Sequence, residues 1–234
     1  MKNKLVFSIF TGIMLLIGTS ALADSDVYIT QSGASFTASI VIDGNGNEMG
    51  NSTTVFTATG ANLTFDIDML GASNKIDGKF VGGGASGAED LEVKQQGGSN
   101  EATINVGDSA AAADVHISET TTGDSNNTTY NIGSSATTED VNVTAVLTGD
   151  SNILIVNENA TGSTASDKTT TVTMIGNSNT PSITHSGSGH HNTVLHHTGA
   201  SGDFDINQSG QHDTDVHITT NGGGTMDVDV TITE

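Results

Sequence analysis

Eight histidines stand in the chain, and seven of them fall between residues 185 and 217. His190-His191 and His196-His197 form two pairs, with His185, His212 and His217 nearby and His116 apart. Imidazole is a common ligand for zinc, copper or nickel, so these pairs are the weak metal candidates of the sequence. On a strand, however, adjacent residues face opposite sides, so at most one member of each pair can share a surface. Solvent-facing or stacked histidines are therefore expected, with no bound metal and no cofactor. The 19 Asp and 8 Glu suggest calcium, a hard cation that takes oxygen ligands. Gly82 to Gly87 is followed by Glu89 and Asp90, but the Gly-Gly-x-Gly-x-Asp calcium repeat is absent from the sequence. A solvated acidic surface is the expectation. Thr-x-Thr occurs at 57–59, 120–122, 169–171 and 171–173. Flat threonine ladders resemble ice-binding surfaces, yet these motifs do not recur at one fixed place in a repeat. Ser, His and Asp abound without a Gly-x-Ser-x-Gly elbow or a helix to carry one, so no enzyme is expected.

The elements that must hold these residues are strands. Gly-x-x-Asn recurs at Gly71–Asn74, Gly97–Asn100, Gly123–Asn126, Gly149–Asn152 and Gly176–Asn179, at spacings of 26, 26, 26 and 27 residues. A variant is Gly210-Gln-His-Asp213. Between the turns apolar and polar residues alternate: Leu91 and Val93, then Asn100, Ala102, Ile104 and Val106, lie on one side, and Glu92, Lys94, Glu101 and Thr103 on the other. Period two means a strand with one buried face. One such unit cannot bury that face alone, but stacked units can. The sequence thus predicts an all-β solenoid of about eight strand–turn–strand repeats in cross-β stacking, with a final strand at 226–233. The repeat phase is interrupted over 44–69 and 157–202.

The segment 1–23 reads differently. Lys2 and Lys4, an apolar run from Leu5 to Gly18, and Ala21-Leu22-Ala23 have the form of a secretory signal peptide. Cleavage would leave 24–234 as one repeat domain with no membrane span. The whole chain of 234 residues has a formal charge of −21, 4% aromatic residues and no cysteine. That charge argues against nucleic acid as a partner, and the lack of cysteine excludes a disulfide framework. Low hydrophobicity with high charge would suggest disorder, but 35 Thr and the strict alternation favour strands.

Three units carry Gln two residues before glycine: Gln31-Ser32-Gly33, Gln95-Gln96-Gly97 and Gln208-Ser209-Gly210. The middle one continues to Asn100-Glu101-Ala102. This Gln-x-Gly-x-x-Asn-x-Ala pattern resembles the curlin repeat of bacterial curli fibre subunits. The resemblance spans most of 24–234 in degenerate form. It implies export through a dedicated outer-membrane pore, a nucleator subunit, and polymerisation at the cell surface into functional amyloid that serves adhesion and biofilm matrix. It also implies inward amide ladders, here Gln31, Gln95 and Gln208, and Asn74, Asn100, Asn126, Asn152 and Asn179, with Gly33, Gly71, Gly97, Gly123, Gly149, Gly176 and Gly210 at the turns. The sequence departs from the family pattern where Glu119, Ala145 and His185 stand roughly in place of Gln. Stacked amides can bond one another without orphaned partners, and glycine at a turn permits positive φ. Open solenoid ends would add the next subunit by strand pairing. The alternative is a monomeric acidic solenoid acting as an adhesin or as an ion- or ice-binding module.

Overall fold

Strands with one apolar face and little chain between them have one economical solution, which is to wind into a flattened coil and stack. The computed structural model describes residues 3–9, 14–20, 25–33, 35–51, 53, 55–82, 88–107, 114–133, 138–160, 167–210 and 213–233. Within these the strands are β1 Asn3–Ile9, β2 Met14–Ser20, β3 Ser25–Ser32, β4 Ser35–Asp43, β5 Gly46–Met49, β6 Phe56–Gly60 and β7 Asn62–Leu70. Next come β8 Ser73–Gly82, β9 Ala88–Gln96, β10 Ser99–Val106, β11 Asp114–Thr122, β12 Ser125–Ile132, β13 Val141–Thr148 and β14 Ser151–Ala160. The last are β15 Lys168–Ile175, β16 Ser178–Gly187, β17 His191–Thr198, β18 Ser201–Ser209, β19 Thr214–Asn221 and β20 Met226–Thr233.

They form two sheets. The first runs β1-β3-β5-β8-β10-β12-β14-β16-β18-β20, with β6 beside β5 between β3 and β8. The second runs β2-β4-β7-β9-β11-β13-β15-β17-β19. Each coil thus gives one level to each sheet, and every strand pairs in parallel with its equivalent in the next coil. The registers follow the repeat, as in Asn100↔Asn126 and Asn126↔Asn152. The fold is the expected all-β solenoid of stacked repeats.

Burial follows the alternation. In β11, Val115, Ile117, Glu119 and Thr121 are buried while the residues between them are exposed. Parallel strands buried on one face only are unusual, because a parallel sheet generally has both faces covered. Here the second sheet is the cover. The interior changes along the axis. Near the first coils it is aromatic, with Phe56, Phe65 and Phe80 at centroid separations of 5.0 to 5.3 Å in edge-on contact. Each such ring contributes about 1.5–3 kcal/mol by burial. Toward the last coils the interior turns polar, with Glu158, His185 and Gln208 continuing the row of Phe80 in the first sheet and Lys168, His191 and His197 buried in the second.

The interrupted regions resolve into two local changes. Across 44–69 the first-sheet strand is split into β5 and β6, and the extra residues loop out between them. Gly50 starts that loop at φ 69°, where a side chain would also strike the Asp77 carbonyl oxygen. In 157–202 the turn at Gly187 to His190 is short, so the spacing between coils falls from 26 or 27 to 23 while the pairing holds. Residues of the expected signal segment also take strand form. β1 and β2 pair with β3 and β4, as in Leu5↔Val27 and Ile17↔Ile40. The cleavage signature at 21–23 lies outside the described residues. No helix among the described residues is long and apolar enough to cross a membrane.

Candidate functional site

The most regular chemistry in the molecule is an interior column of asparagines. Each sits one residue into its strand, where the alternation turns it inward beside the corner. Asn74 Nδ2 donates to Asn100 Oδ1 at 2.8 Å, Asn100 to Asn126 at 2.9 Å, Asn126 to Asn152 at 2.7 Å and Asn152 to Asn179 at 2.7 Å. The second proton of each amide bonds backbone carbonyls of the corner, as Asn126 does to Gly123 and Thr148 at 3.2 and 3.1 Å. Donor and acceptor are both used, which is what makes a buried amide tolerable. The column starts one rung earlier than the sequence reading placed it. Asn47 donates to Asn74 at 2.9 Å. Its Gly44-x-x-Asn47 signature was present, but it lies in the stretch where the phase was obscured. The column stops at Asn179 because Gly202 follows in register, and the Phe204 ring takes the space a side chain there would need.

The corner glycines are required by crowding. A Cβ on Gly123 would sit 2.0 Å from the Gly97 carbonyl oxygen, and one on Gly149 1.7 Å from that of Gly123. Gly71, Gly97, Gly123 and Gly149 are absent from the positive-φ residues, so close approach between coils, and not left-handed backbone, excludes side chains there. The column continues through Gly176 to Gly199 and Gly222. Gly33 and Gly210 belong to the opposite corner: Gly33 abuts Gly60, and Gly210, at φ 139°, abuts Gly187. Gly210–Asp213 is thus not another copy of the Gly-x-x-Asn turn. A period of two assigns a residue to a side of its strand but not to a sheet, and similar turns end both sheets.

The same ambiguity dissolves the glutamine ladder. Gln95 lies in β9 of the second sheet, and Gln31 and Gln208 lie in β3 and β18 of the first, separated by many coils. The Gln31 side chain lies outside the described residues. Gln95 has Met69 and Thr121 as register neighbours and donates to the Glu101 carbonyl at 3.3 Å. Glu119 and Ala145 are one inward position away from it, level with Val93. His185 does share the position of Gln208, and both follow Glu158 in one row.

Two buried polar clusters replace that ladder. In the first, Glu119 accepts from Thr128 at 2.6 Å, Thr121 at 2.8 Å and Tyr130 at 3.1 Å. Burial pushes its carboxyl above the usual range, against the pull of these three hydroxyl donors. In the second, Thr170 Oγ1 donates to Glu158 Oε1 at 2.7 Å and lies 2.9 Å from His185 Nε2. Gln208 Nε2 lies 3.5 Å from His185 Nδ1 and donates to Thr193 Oγ1 at 3.0 Å. An amide nitrogen facing Nδ1 makes that atom the acceptor, so Nε2 carries the ring proton. The order of donation is then Gln208 to His185, His185 to Thr170, Thr170 to Glu158. Beside it Lys168 Nζ donates to the Ser188 carbonyl at 2.9 Å and stands 3.4 Å from His191 Nε2.

The charge states follow from burial. Desolvation raises Glu158 to about 8 against the pull of Lys168, and lowers His185 to about 3 and His191 to about 4 with Lys168 adding to the effect. It also lowers Lys168 and His197. The 3.4 Å between His185 Nε2 and Glu158 Oε2 is long for an ion pair and suits a neutral acid beside a neutral imidazole. Glu89, buried near the opposite corner, is raised to about 8 by burial and then by Asp114 and Asp90.

Stability should therefore depend on pH in two opposed ways. Unfolded, the carboxyls of Glu89 and Glu158 lose protons near 4.5; folded, they hold them to about 8, so stability falls as pH rises across that window. Unfolded, His185 and His191 take protons below 6.5; folded, they resist down to about 3 and 4, so stability falls as pH drops across that window. Each group contributes about 1.4 kcal/mol per pH unit. The two slopes oppose between 4.5 and 6.5, where urea denaturation should find a plateau with losses on either side. Stability that climbs steadily to pH 8.5 would contradict these protonation states.

The histidine pairs divide as the alternation requires. His191 and His197 are buried, and His190 and His196 are exposed. His197 packs edge-on to Phe204 at 5.2 Å. Neither pair converges on one point, and no group of three His, Cys, Asp or Glu able to hold a metal occurs among the described residues. His212 and residues 83–87 lie outside them.

The coil of β19 and β20 lies at an end of the stack. Val228, Val230 and Ile232 occupy the inward row, in register with Phe204, Ile206 and Gln208, yet they are 41%, 43% and 49% exposed. β19 and β20 each have one strand neighbour among the described residues, so a row of backbone donors and acceptors faces outward beside this apolar strip. No protein-family model, curated protein or solved structure matches the chain.

Proposed function

We propose that this chain is an exported structural subunit of curlin type, which polymerises end to end into an extracellular amyloid-like fibre for adhesion and matrix. In this reading residues 1–23 are removed on export, a secretion pore passes the chain, and a nucleator starts the fibre. The carrying observation is the open end, where an inward row of Val228, Val230 and Ile232 is exposed beside two strand edges that are unpaired among the described residues. Such an edge templates an incoming strand. The join is heterologous and does not close, so it propagates as a filament.

The acidic surface opposes this growth. Asp203 faces Asp227 and Asp205 faces Asp229 across the last rung. Unit charges at the strand spacing of about 4.8 Å repel by about 1 kcal/mol in water. By repeat position, Asp26 of an added copy would extend the Asp227 row. Assembly should quicken at lower pH, with added salt or with divalent ions. Growth of purified 24–234 followed by a cross-β dye and by electron microscopy tests this. Filaments with strands about 4.8 Å apart along the axis are expected. A monomer that persists at high concentration and low pH would favour the solitary adhesin reading, and faster growth at low salt and high pH would remove the electrostatic argument.

A further inference from the structure

We propose that the outer face of the second sheet across β11, β13 and β15 binds ice. Thr57-Ala58-Thr59 lies in β6 of the first sheet, whereas the other Thr-x-Thr motifs lie in β11 and β15 of the second, where the register brings part of them into common rows. Thr120, Val146 and Thr173 form one row across three coils, and Thr122, Thr148 and Ile175 form the next. Thr144 and Thr171 begin a third beside Ser118. Rows repeat about 6.8 Å apart along the strands and columns about 4.8 Å apart between them. That rectangular net is close to the spacing of water oxygens on a prism face of hexagonal ice.

Two independent observations accompany the geometry. The first is the absence of charge. The chain has 27 acidic residues, yet the outward positions of β13 and β15, and those of β11 from Ser118 to Thr122, hold no Asp, Glu or Lys; outward Asp114 lies at the far end of β11. Charged heads organise their own hydration and would disturb a water lattice. The second is that the hydroxyls are free. Thr120, Thr122, Thr144, Thr148, Thr171 and Thr173 make no side-chain hydrogen bond to the protein among the described residues, whereas inward Thr121, Thr128, Thr170 and Thr193 all do. The outward amides of the first sheet are instead spent on one another, as Asn157 donates to Asn131 at 2.9 Å and Asn131 to Asn105 at 3.0 Å. Free hydroxyls alternating with the methyls of Thr, Val and Ile can order water at lattice sites without competing partners.

The inference stands apart from the assembly reading and is tested on freshly purified monomer. The wild type should facet growing ice crystals and suppress recrystallisation of a frozen sucrose film. Thr148→Tyr and Thr173→Lys, which spoil the net, should each raise the concentration needed by roughly tenfold or more. Asn127→Lys, on the outer face of the first sheet, should leave it unchanged, and circular dichroism would verify that all three variants keep the strand content of the wild type. If a variant fails to fold, Thr148→Ser, which removes only the methyl, replaces it and should weaken the effect to a lesser degree. Absence of faceting by the folded wild type would overturn the inference, as would equal activity of the net variants and Asn127→Lys. Retention on crystalline polysaccharide with no effect on ice would overturn it too.

Discussion

Asn126→Asp should be among the most damaging single substitutions in this protein at neutral pH. Asn126 Nδ2 points at three oxygens: Asn152 Oδ1 at 2.7 Å, Thr148 O at 3.1 Å and Gly123 O at 3.2 Å. A carboxylate oxygen put there has no proton to offer and faces three acceptors in a buried corner. An uncompensated buried charge costs about 3–5 kcal/mol. Asn126→Ala removes the same bonds but adds no charge, and should cost about 1–3 kcal/mol. The ranking should also depend on pH. The aspartate carboxyl would have its folded pKa raised by burial and by those oxygens, so its penalty is largest above that value and shrinks as pH falls and the acid gains a proton to donate. Urea denaturation should find Asn126→Asp less stable than Asn126→Ala at pH 7, with the gap closing near pH 4. An aspartate variant as stable as the wild type at pH 7 would mean that the column contributes little to stability.

Val230→Asp should nearly abolish fibre growth while leaving the monomer folded. The side chain is 43% exposed at the open end, so a single subunit has little to lose. By repeat position, Val228 and Val230 correspond to Val27 and Ile29, both buried in the first coils. A second copy adding its β3 to β20 would bring Ile29 against position 230. Growth would then bury an unpaired carboxylate at a cost of several kcal/mol, which is roughly a hundredfold or more in affinity for the next subunit. Seeded growth assays with circular dichroism of the monomer separate the two effects. Unchanged elongation by a folded Val230→Asp would place the growing surface elsewhere, even if fibres form.

These two variants probe the same principle at different depths. A solenoid coil contacts only its neighbours, so stability and growth are sums of rung-to-rung terms. In the middle of the stack a rung has partners on both sides and the asparagine column satisfies itself. At the open end Met226 takes the column position, and inward Val228, Val230 and Ile232 have no strand beyond them among the described residues. The change of interior from Phe56, Phe65 and Phe80 to Glu158, Lys168 and His185 follows the axis in the same sense. The later coils add hydrogen bonds among Glu158, Thr170, His185, Thr193 and Gln208 to their apolar packing, which makes them, with Glu89, a pH-sensitive part of the molecule.

The sequence by itself determined the strands, their inward and outward sides, the 26-residue period and the asparagines at 74, 100, 126, 152 and 179. These are local properties: alternation is set by the geometry of one strand, and the period by the distance along the chain between like turns. Division of the histidine pairs into one buried and one exposed member was legible for the same reason. What only the tertiary structure decided is which sheet, and which neighbour, each residue meets. Gln95 and Gln208 share a motif but sit in opposite sheets; Gly123 and Gly210 share a turn pattern but sit at opposite corners. Asn126 and Asn152 lie 26 residues apart and Lys168 and His191 only 23, yet each pair is one step along its sheet. The physical reason is that hydrogen bonds fix register between coils while loops between them absorb inserted or missing residues. Distance along the chain therefore stops predicting distance in space wherever a loop changes length.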